Sequence, residues 1–333
     1  MACRGSGVQI PSAPRIDRKG KTVQHAIPSG WNTDNIPDLS GKKFLITGGT
    51  SGLGLASAIE LARHGADVTI TARTLEKAER TVAKIGRSSA IVMDLADLSS
   101  VRSAAASIES NFDVVILNAG VMATPMTATV DGFELQMGTN HLGHFAFAGL
   151  IRHYIGDRLI VMSSMAHRLG NFDDGSLQDI REKCLGVGSY SPWGSYGASK
   201  LANLLFVSHL ERLRLMHGWS FIPIAAHPGY SSTHLQMVGP EMRGSFIQQR
   251  LMAAGNAVFA QSAEKGALPA LCAATFPGLV GASFVGPDGL GEMRGNPKLT
   301  RAKSAAYDQT LAAHLWQVSE ELTGVRWENA PHA

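Results

Sequence analysis

Lys43-Phe44-Leu45-Ile46-Thr47-Gly48-Gly49-Thr50-Ser51-Gly52-Leu53-Gly54 joins an apolar, strand-like run to a turn too rich in glycine for a side-chain core. A helix-forming segment, Leu55-Ala56-Ser57-Ala58-Ile59-Glu60-Leu61-Ala62, follows at once. Strand, glycine turn and helix in that order make a phosphate site, because a helix start presents unpaired N–H groups and the positive end of its dipole. Gly48 can adopt φ > 0 in the tight turn, Gly52 lets backbone approach a pyrophosphate, and Gly54 lets the helix pack near the strand. Gly48, Thr50, Ser51, Gly52, Leu53 and Gly54 are therefore candidate cofactor contacts. The spacing Gly-x3-Gly-x-Gly differs from the commonest dinucleotide fingerprint, and taken alone it serves a plain tight turn equally well.

Downstream, strand and helix patterns alternate. Strands are predicted over 43–47, 67–72, 90–93, 114–117, 158–162, 221–226 and 282–285. Helices are predicted over 53–64, 75–84, 99–110, 130–152, 195–216, 241–253, 261–275 and 300–321, with a loop of mixed composition over 165–194. Nearly all-apolar strands such as Val114-Val115-Ile116-Leu117 predict a parallel sheet covered by helices on both faces. The expected fold is α/β, a single Rossmann-type doubly wound sheet over 37–325. Residues 1–36, with Pro11, Pro14 and Pro28 and no periodicity, read as a disordered tail, and 326–333 as a second tail.

Charge and cysteine usage narrow the function. The formal net charge of the 333 residues is +3. Arg4, Arg15, Arg18, Lys19 and Lys21 against Asp17 put about +4 in the first 22 residues, so the remainder carries no basic excess and nucleic acid is not an expected partner. Cys3, Cys184 and Cys272 are an odd number without a Cys-x2-Cys pair, which favours reduced thiols and a cytoplasmic setting. No apolar run reaches the length of a membrane span, and the N-terminus lacks a hydrophobic signal core.

In such sheets ligands bind beyond the carboxyl ends of the strands, where the polar and glycine-rich residues of this chain gather. A protein that binds NAD places a carboxylate about 20 residues past the glycines. Here the second strand ends instead in Arg73, whose planar fork suits a 2′-phosphate, so NADP(H) is favoured over NAD(H). Asp94, followed by Leu95, can accept from an adenine amino group or cap the next turn. Asn118-Ala119-Gly120 brings the fourth strand's tip to the adenosine side, unless it is ordinary strand termination, and Pro228-Gly229 closes the sixth strand. In Tyr196-Gly197-Ala198-Ser199-Lys200 the phenol and ammonium lie on one helical face, where Lys⁺ lowers the tyrosine pKa toward working pH. An isolated Tyr-x3-Lys is common on surfaces. Ser164, at the tip of the fifth strand, can donate to a substrate carbonyl oxygen, and Asn140 can hold a water.

These motifs together resemble the short-chain dehydrogenase/reductase superfamily, with similarity to its retinol-dehydrogenase-like and protochlorophyllide-reductase-like members. The resemblance covers roughly 37–325 and rests on Thr47–Gly54, Asp94-Leu95, Leu117-Asn118-Ala119-Gly120, Asn140-His141-Leu142-Gly143, Ser163-Ser164, Tyr196-x3-Lys200 and His227-Pro228-Gly229. Gly286-Pro287-Asp288-Gly289 and Leu315–Gly324 add to the likeness; Leu117 stands where many members have Asn. The resemblance implies hydride transfer between a nicotinamide and a carbonyl or alcohol carbon, with Asn140, Ser164, Tyr196 and Lys200 as the catalytic tetrad. Lys200 and Tyr196 would also contact the cofactor, and Asn140 would order a water.

Other residues admit two readings each. His141, His144, His153 and His167 show no metal-ligand spacing and read as packed or solvent-facing side chains. Met122, Met126, Phe133, Met137, Leu235, Met237 and Met242 are candidates for an apolar substrate wall, or for plain core. By analogy, the helix carrying Tyr196 offers Leu204, Leu205 and Val207 for homo-oligomerisation. The rivals to a carbonyl/alcohol oxidoreductase are a non-catalytic dinucleotide sensor or scaffold and a reductase of a C=C bond in a tetrapyrrole-like substrate.

Overall fold

The computed structural model describes residues 25–230 and 261–328. The elements run β1 (Lys43–Ile46), α1 (Gly52–Arg63), β2 (Asp67–Ala72), α2 (Leu75–Ile85), β3 (Ser88–Val92), α3 (Leu98–Ala106), β4 (Phe112–Leu117), α4 (Leu135–Met137), a π-turn (Gly138–Leu142) and α5 (Gly143–Leu150). They continue with β5 (Ile155–Met162), α6 (Leu177–Leu185), α7 (Pro192–His217), β6 (Ile222–Ala226), α8 (Ala263–Thr275), β7 (Phe284–Pro287), β8 (Pro297–Leu299) and α9 (Gln309–Thr323). One eight-stranded sheet takes the order β3-β2-β1-β4-β5-β6-β7-β8. All neighbours pair in parallel except β7 with β8. The order reverses between β1 and β4, which opens a crevice beyond their carboxyl ends.

Successive residues of a strand face opposite sides of the sheet, so the apolar strands feed two cores. Phe44, Ile46, Ile70, Ile116 and Ile160 enter one layer with Leu61 of α1 and Leu271 of α8. Leu45, Val115, Leu117 and Leu159 enter the other with Phe145, Leu201, Leu205 and Leu315. Helix starts are fixed locally: the Thr74 hydroxyl accepts from Lys77 N–H at α2, Asp97 caps α3, and Ser191 caps α7 with Pro192 in the first turn.

Several boundaries differ from those predicted. The helix expected over 130–152 begins at Leu135, because 127–134 folds into a loop in which Thr129 N–H donates to Phe133 O (2.7 Å) and Leu135 N–H to Thr127 O (2.8 Å). The loop expected over 165–194 contains α6, capped by Ser176. The last helix starts at Gln309 rather than 300, and the antiparallel edge strand β8 precedes it. Neither expected tail boundary holds. Trp31 and Ile36 are buried, His25 N–H donates to Gly278 O (3.0 Å), and Trp327 has no exposed surface. Trp327 packs against Trp316 and Phe145, with ring centroids 5.3 and 5.8 Å away. The helix expected over 241–253 and residues 1–24 and 329–333 lie outside the described residues.

Leu204, Leu205 and Val207 do not form an outer face. All three are buried, because α9 covers this side of α7 and stacks Trp316 on Phe206 at 5.8 Å.

Candidate active site

The glycine turn is shaped by close approaches that leave no room for side chains. Gly48 has φ +67°, and a Cβ there would lie 2.8 Å from Ala119 Cβ; a Cβ on Gly54 would lie 2.4 Å from Gly48 O. Gly52 (φ +53°) opens α1, and the Ser51 side chain at its N-cap makes no capping bond. Ser51 is exposed, with Thr50, Gly52 and Leu53 half-buried beside it. The turn thus offers an open helix start, which suits a phosphate.

Thr47 holds the turn to the β4 tip. Its hydroxyl oxygen accepts from Asn118 N–H (2.9 Å) and Ala119 N–H (3.1 Å) and contacts His144 Nε2 at 2.8 Å. With two donors already on the oxygen, the hydroxyl proton points to Nε2, which places the imidazole proton on Nδ1, facing Asn140 O at 3.1 Å. Burial pushes His144 down to about 3, in keeping with a neutral ring. Asn118 returns its amide to Thr47 O (2.9 Å) and Gly48 O (3.3 Å).

Tyr196 and Lys200, both buried, project from one face of α7 toward the end of β5. The Ser164 side chain lies close enough to the Tyr196 hydroxyl to act on its pKa; Ser164 follows β5, and its Oγ accepts from Ala166 N–H (3.2 Å). Lys200 Nζ donates to Met162 O (3.2 Å) and lies 5.7 Å from the Tyr196 ring centroid. The expected lowering of the tyrosine pKa by Lys200 is absent: burial pushes Tyr196 up to about 12 and Lys200 down to about 8. Asn140 sits in the π-turn with both amide protons committed, to Val121 O (2.9 Å) and Ser199 Oγ (2.9 Å), while its Oδ1 accepts from Val121 N–H (2.8 Å). Its amide N–H groups are thus both engaged, and a water could meet this side chain only by donating to Oδ1. Asn140 pins the strand-tip loop to α7. A Cβ on Gly120 would come within 2.8 Å of Asn140 Oδ1 and 3.6 Å of Lys200 Nζ, so the β4 tip belongs to the same cluster.

The remaining expected contacts surround this centre. Arg73 is exposed just past β2, with no hydrogen bond or ion pair to another described residue. Asp94 is half-buried and caps its own loop through Oδ1, which accepts from Ala96 N–H (2.9 Å). Leu95 is buried, with its carbonyl against Gly143. Pro228 O accepts from Gln261 Nε2 (2.6 Å), and Gly229, with φ +68°, donates its N–H to His227 Nδ1 (3.2 Å).

Of the candidate wall residues, Met122 packs with Ala123 against Tyr196, whereas Phe133 and Met137 belong to the core and Met126 is largely exposed. Leu235, Met237 and Met242 lie outside the described residues. A cavity of about 180 Å³ beside the Tyr196 turn is lined by Met137, Leu169, Asn171, Lys183, Tyr190 and Ser195 among others, a mixed rather than purely apolar surface. A larger hollow of about 290 Å³, around Val280–Phe284 and Tyr307, lies at the amino end of β7, away from these groups. His141, His144 and His167 are packed side chains, and no three His, Cys, Asp or Glu groups converge as a metal site among the described residues. Nor, among them, is any helix long and apolar enough to cross a membrane. The sequence reading missed Thr47 as the tie between strand tips, and Ser199, whose hydroxyl donates to Tyr196 O (2.8 Å). Both stand inside quoted motifs, but threonine and serine there carry no spacing signal.

Comparison with known proteins gives consistent relatives. The family profile described as short chain dehydrogenase matches residues 42–173. Mouse retinol dehydrogenase 14 is 32% identical over 312 residues, covering 86% of this chain and 87% of that protein. Human retinol dehydrogenase 13 is 33% identical over 301 residues and 86% of each. A crystal structure of a protein from Mycobacterium paratuberculosis matches with TM-score 0.76 and 39% identity over 90% of this chain and 99% of that one. A short chain dehydrogenase from Burkholderia cenocepacia J2315, solved in complex with NADP, matches at TM-score 0.53 and 23% identity over 72% of this chain and 93% of that one, a likeness of fold.

Proposed function

The chain belongs to the short-chain dehydrogenase/reductase superfamily, in its retinol-dehydrogenase-like branch, and from that premise we propose that it is an NADP(H)-dependent oxidoreductase interconverting a carbonyl and an alcohol on a largely apolar small molecule. The observation that carries this reading is the meeting of Ser164 with the Tyr196 hydroxyl, with Lys200 one turn along α7. When bound, the dinucleotide supplies or takes the hydride. Tyr196, held protonated by burial, donates its proton to the carbonyl oxygen in the reductive direction. Ser164 holds that oxygen and stabilises the charge growing on it. Lys200 would hold ribose hydroxyls, and Asn140 keeps the β4 tip and α7 in register. The glycine turn suits a pyrophosphate, since Gly52 opens α1 at φ +53° and exposed Ser51 leaves the helix start without a side-chain cap. Exposed Arg73 supports NADP(H) through a 2′-phosphate, and Met122 and Ala123 beside Tyr196 support an apolar substrate, as do relatives named for retinol.

The test is a fluorescence titration with NADPH and NADH, then turnover of apolar aldehydes and ketones by wild type and Tyr196→Phe. We expect NADPH to bind more tightly, and the variant to fold and bind while losing about 10²–10⁴-fold in turnover. Binding of neither dinucleotide, or an active phenylalanine variant, overturns the reading.

A further inference from the structure

Glu292 has an unusual backbone and a crowded side chain. It is a non-glycine residue with φ +60°, next to Gly291 in the turn that follows β7. Left-handed backbone is unfavourable for a residue with a Cβ and persists where surrounding contacts fix it. Those contacts are present. Oε2 lies 3.1 Å from Arg168 Nη2 and 3.3 Å from His227 Nε2, and Oε1 accepts from the Thr300 hydroxyl. The polar contact with His227, then the Thr300 hydroxyl and the Arg168 charge, hold this carboxyl down to about 2 against the effect of burial, so it is ionised throughout the working range.

Arg168 and His227 each lead to one half of the proposed site. Arg168 ends the short turn Met165–Arg168 that Ser164 caps. The same turn carries His167, whose Nδ1 faces Ser164 O at 2.6 Å while its Nε2 accepts from Lys303 N–H at 3.2 Å. His227 precedes Pro228-Gly229. Its Nδ1 accepts from Gly229 N–H, which leaves the ring proton on Nε2, turned toward Glu292. The 3.3 Å contact is oblique, an electrostatic pairing rather than an in-line hydrogen bond. The His227 ring is buried, and a Cβ on Gly286 would lie 2.1 Å from its Nε2, so glycine there makes room for it.

We propose that Glu292 is a positioning residue: its ionised carboxylate latches the Ser164 turn, through Arg168, to the Pro228-Gly229 loop, through His227, and so sets the oxygen-holding serine against the cofactor side of the crevice. The proposal deepens the oxidoreductase reading and rests on it for the purpose of the latch, but the latch is a mechanical claim that can be read without turnover.

The experiment uses the full chain and compares wild type, Glu292→Gln and Arg168→Met by amide hydrogen exchange, thermal midpoint and NADPH titration. Loss of the carboxylate's charge should speed exchange at Gly229 and at His167 by about tenfold, and weaken NADPH binding about tenfold, with the midpoint little changed. Arg168→Met should loosen His167 and leave Gly229 protected, because it opens one arm only. Unchanged exchange in Glu292→Gln overturns the latch, as does a fall in midpoint with exchange raised across the whole chain, which is plain structural support. If wild type binds no dinucleotide, the oxidoreductase reading fails, and the exchange at Gly229 and His167 still decides the latch.

Discussion

Lys200 lies one helical turn beyond Tyr196, its Nζ 5.7 Å from the phenol ring centroid, and burial drives the two groups in opposite directions, each toward its neutral form. With no charge close enough to offset desolvation, the phenol at about 12 is a proton donor awaiting an acceptor. In the proposed reaction the phenol would therefore start as the proton donor to a carbonyl oxygen. Acting as a base on an alcohol would need added positive charge nearby.

That relationship gives a pH dependence. Lys200, lowered from 10.5 to about 8, loses its charge as pH rises through about 8, so dinucleotide binding supported by the ammonium should weaken above that point. Stability moves the other way. Between about 8 and 10.5 the unfolded chain keeps a proton that the folded chain has released, so this group makes the fold more stable as pH rises there. Fluorescence titrations from about pH 6.5 to 9.5 check the binding arm, and a flat profile contradicts it.

In the proposed reading Arg73 selects between the two dinucleotides. Hydrogen bonds to charged groups contribute about 1.5–3 kcal/mol, so Arg73→Ala should weaken NADPH roughly tenfold to a hundredfold and leave NADH unchanged. Equal loss for both would remove Arg73 from the 2′-phosphate. The thermal midpoint should not move, since the side chain is exposed.

Thr47→Val keeps the shape of the side chain but deprives Asn118 N–H and Ala119 N–H of their acceptor and His144 Nε2 of its donor. A buried group left without a partner costs about 1–3 kcal/mol; the His144 contact is buried, and the two strand-tip N–H groups are partly so. Urea unfolding should register a loss of several kcal/mol, and Thr47→Ser should restore most of it. A valine variant as stable as wild type would show that the strand tips do not depend on this hydroxyl.

The sheet was legible because its strands are apolar runs, such as Val114–Leu117, each ending in a residue type that strands avoid. Helix starts were less so. Residues 130–134 read as the start of a helix, yet Gly132 at φ +82° and the Thr129–Phe133 bonds commit them to a turn. Helix α6 was hidden because it buries little beyond Ile180 and Cys184. Strand β8 is three residues long and begins with proline, too short for any period to register. Tyr196, Ser164 and Lys200 were found by motif and do converge. Asn140's amide bonds to Val121 and Ser199 and the Glu292–Arg168 pair join residues 19 to 124 apart in sequence, which no local pattern encodes.

Trp31 and Trp327, placed by sequence pattern in the tails, lie in opposite layers of the molecule. Trp31 is the indole of the α1/α8 side, while Trp316, Trp327 and the adjoining Trp219 crowd the α5/α7/α9 side. The two faces of the sheet therefore carry separate intrinsic chromophores. Trp31→Phe would remove the emission of one face and leave the coupled near-ultraviolet dichroism of the other intact, so the loosening of each layer can be followed by light alone.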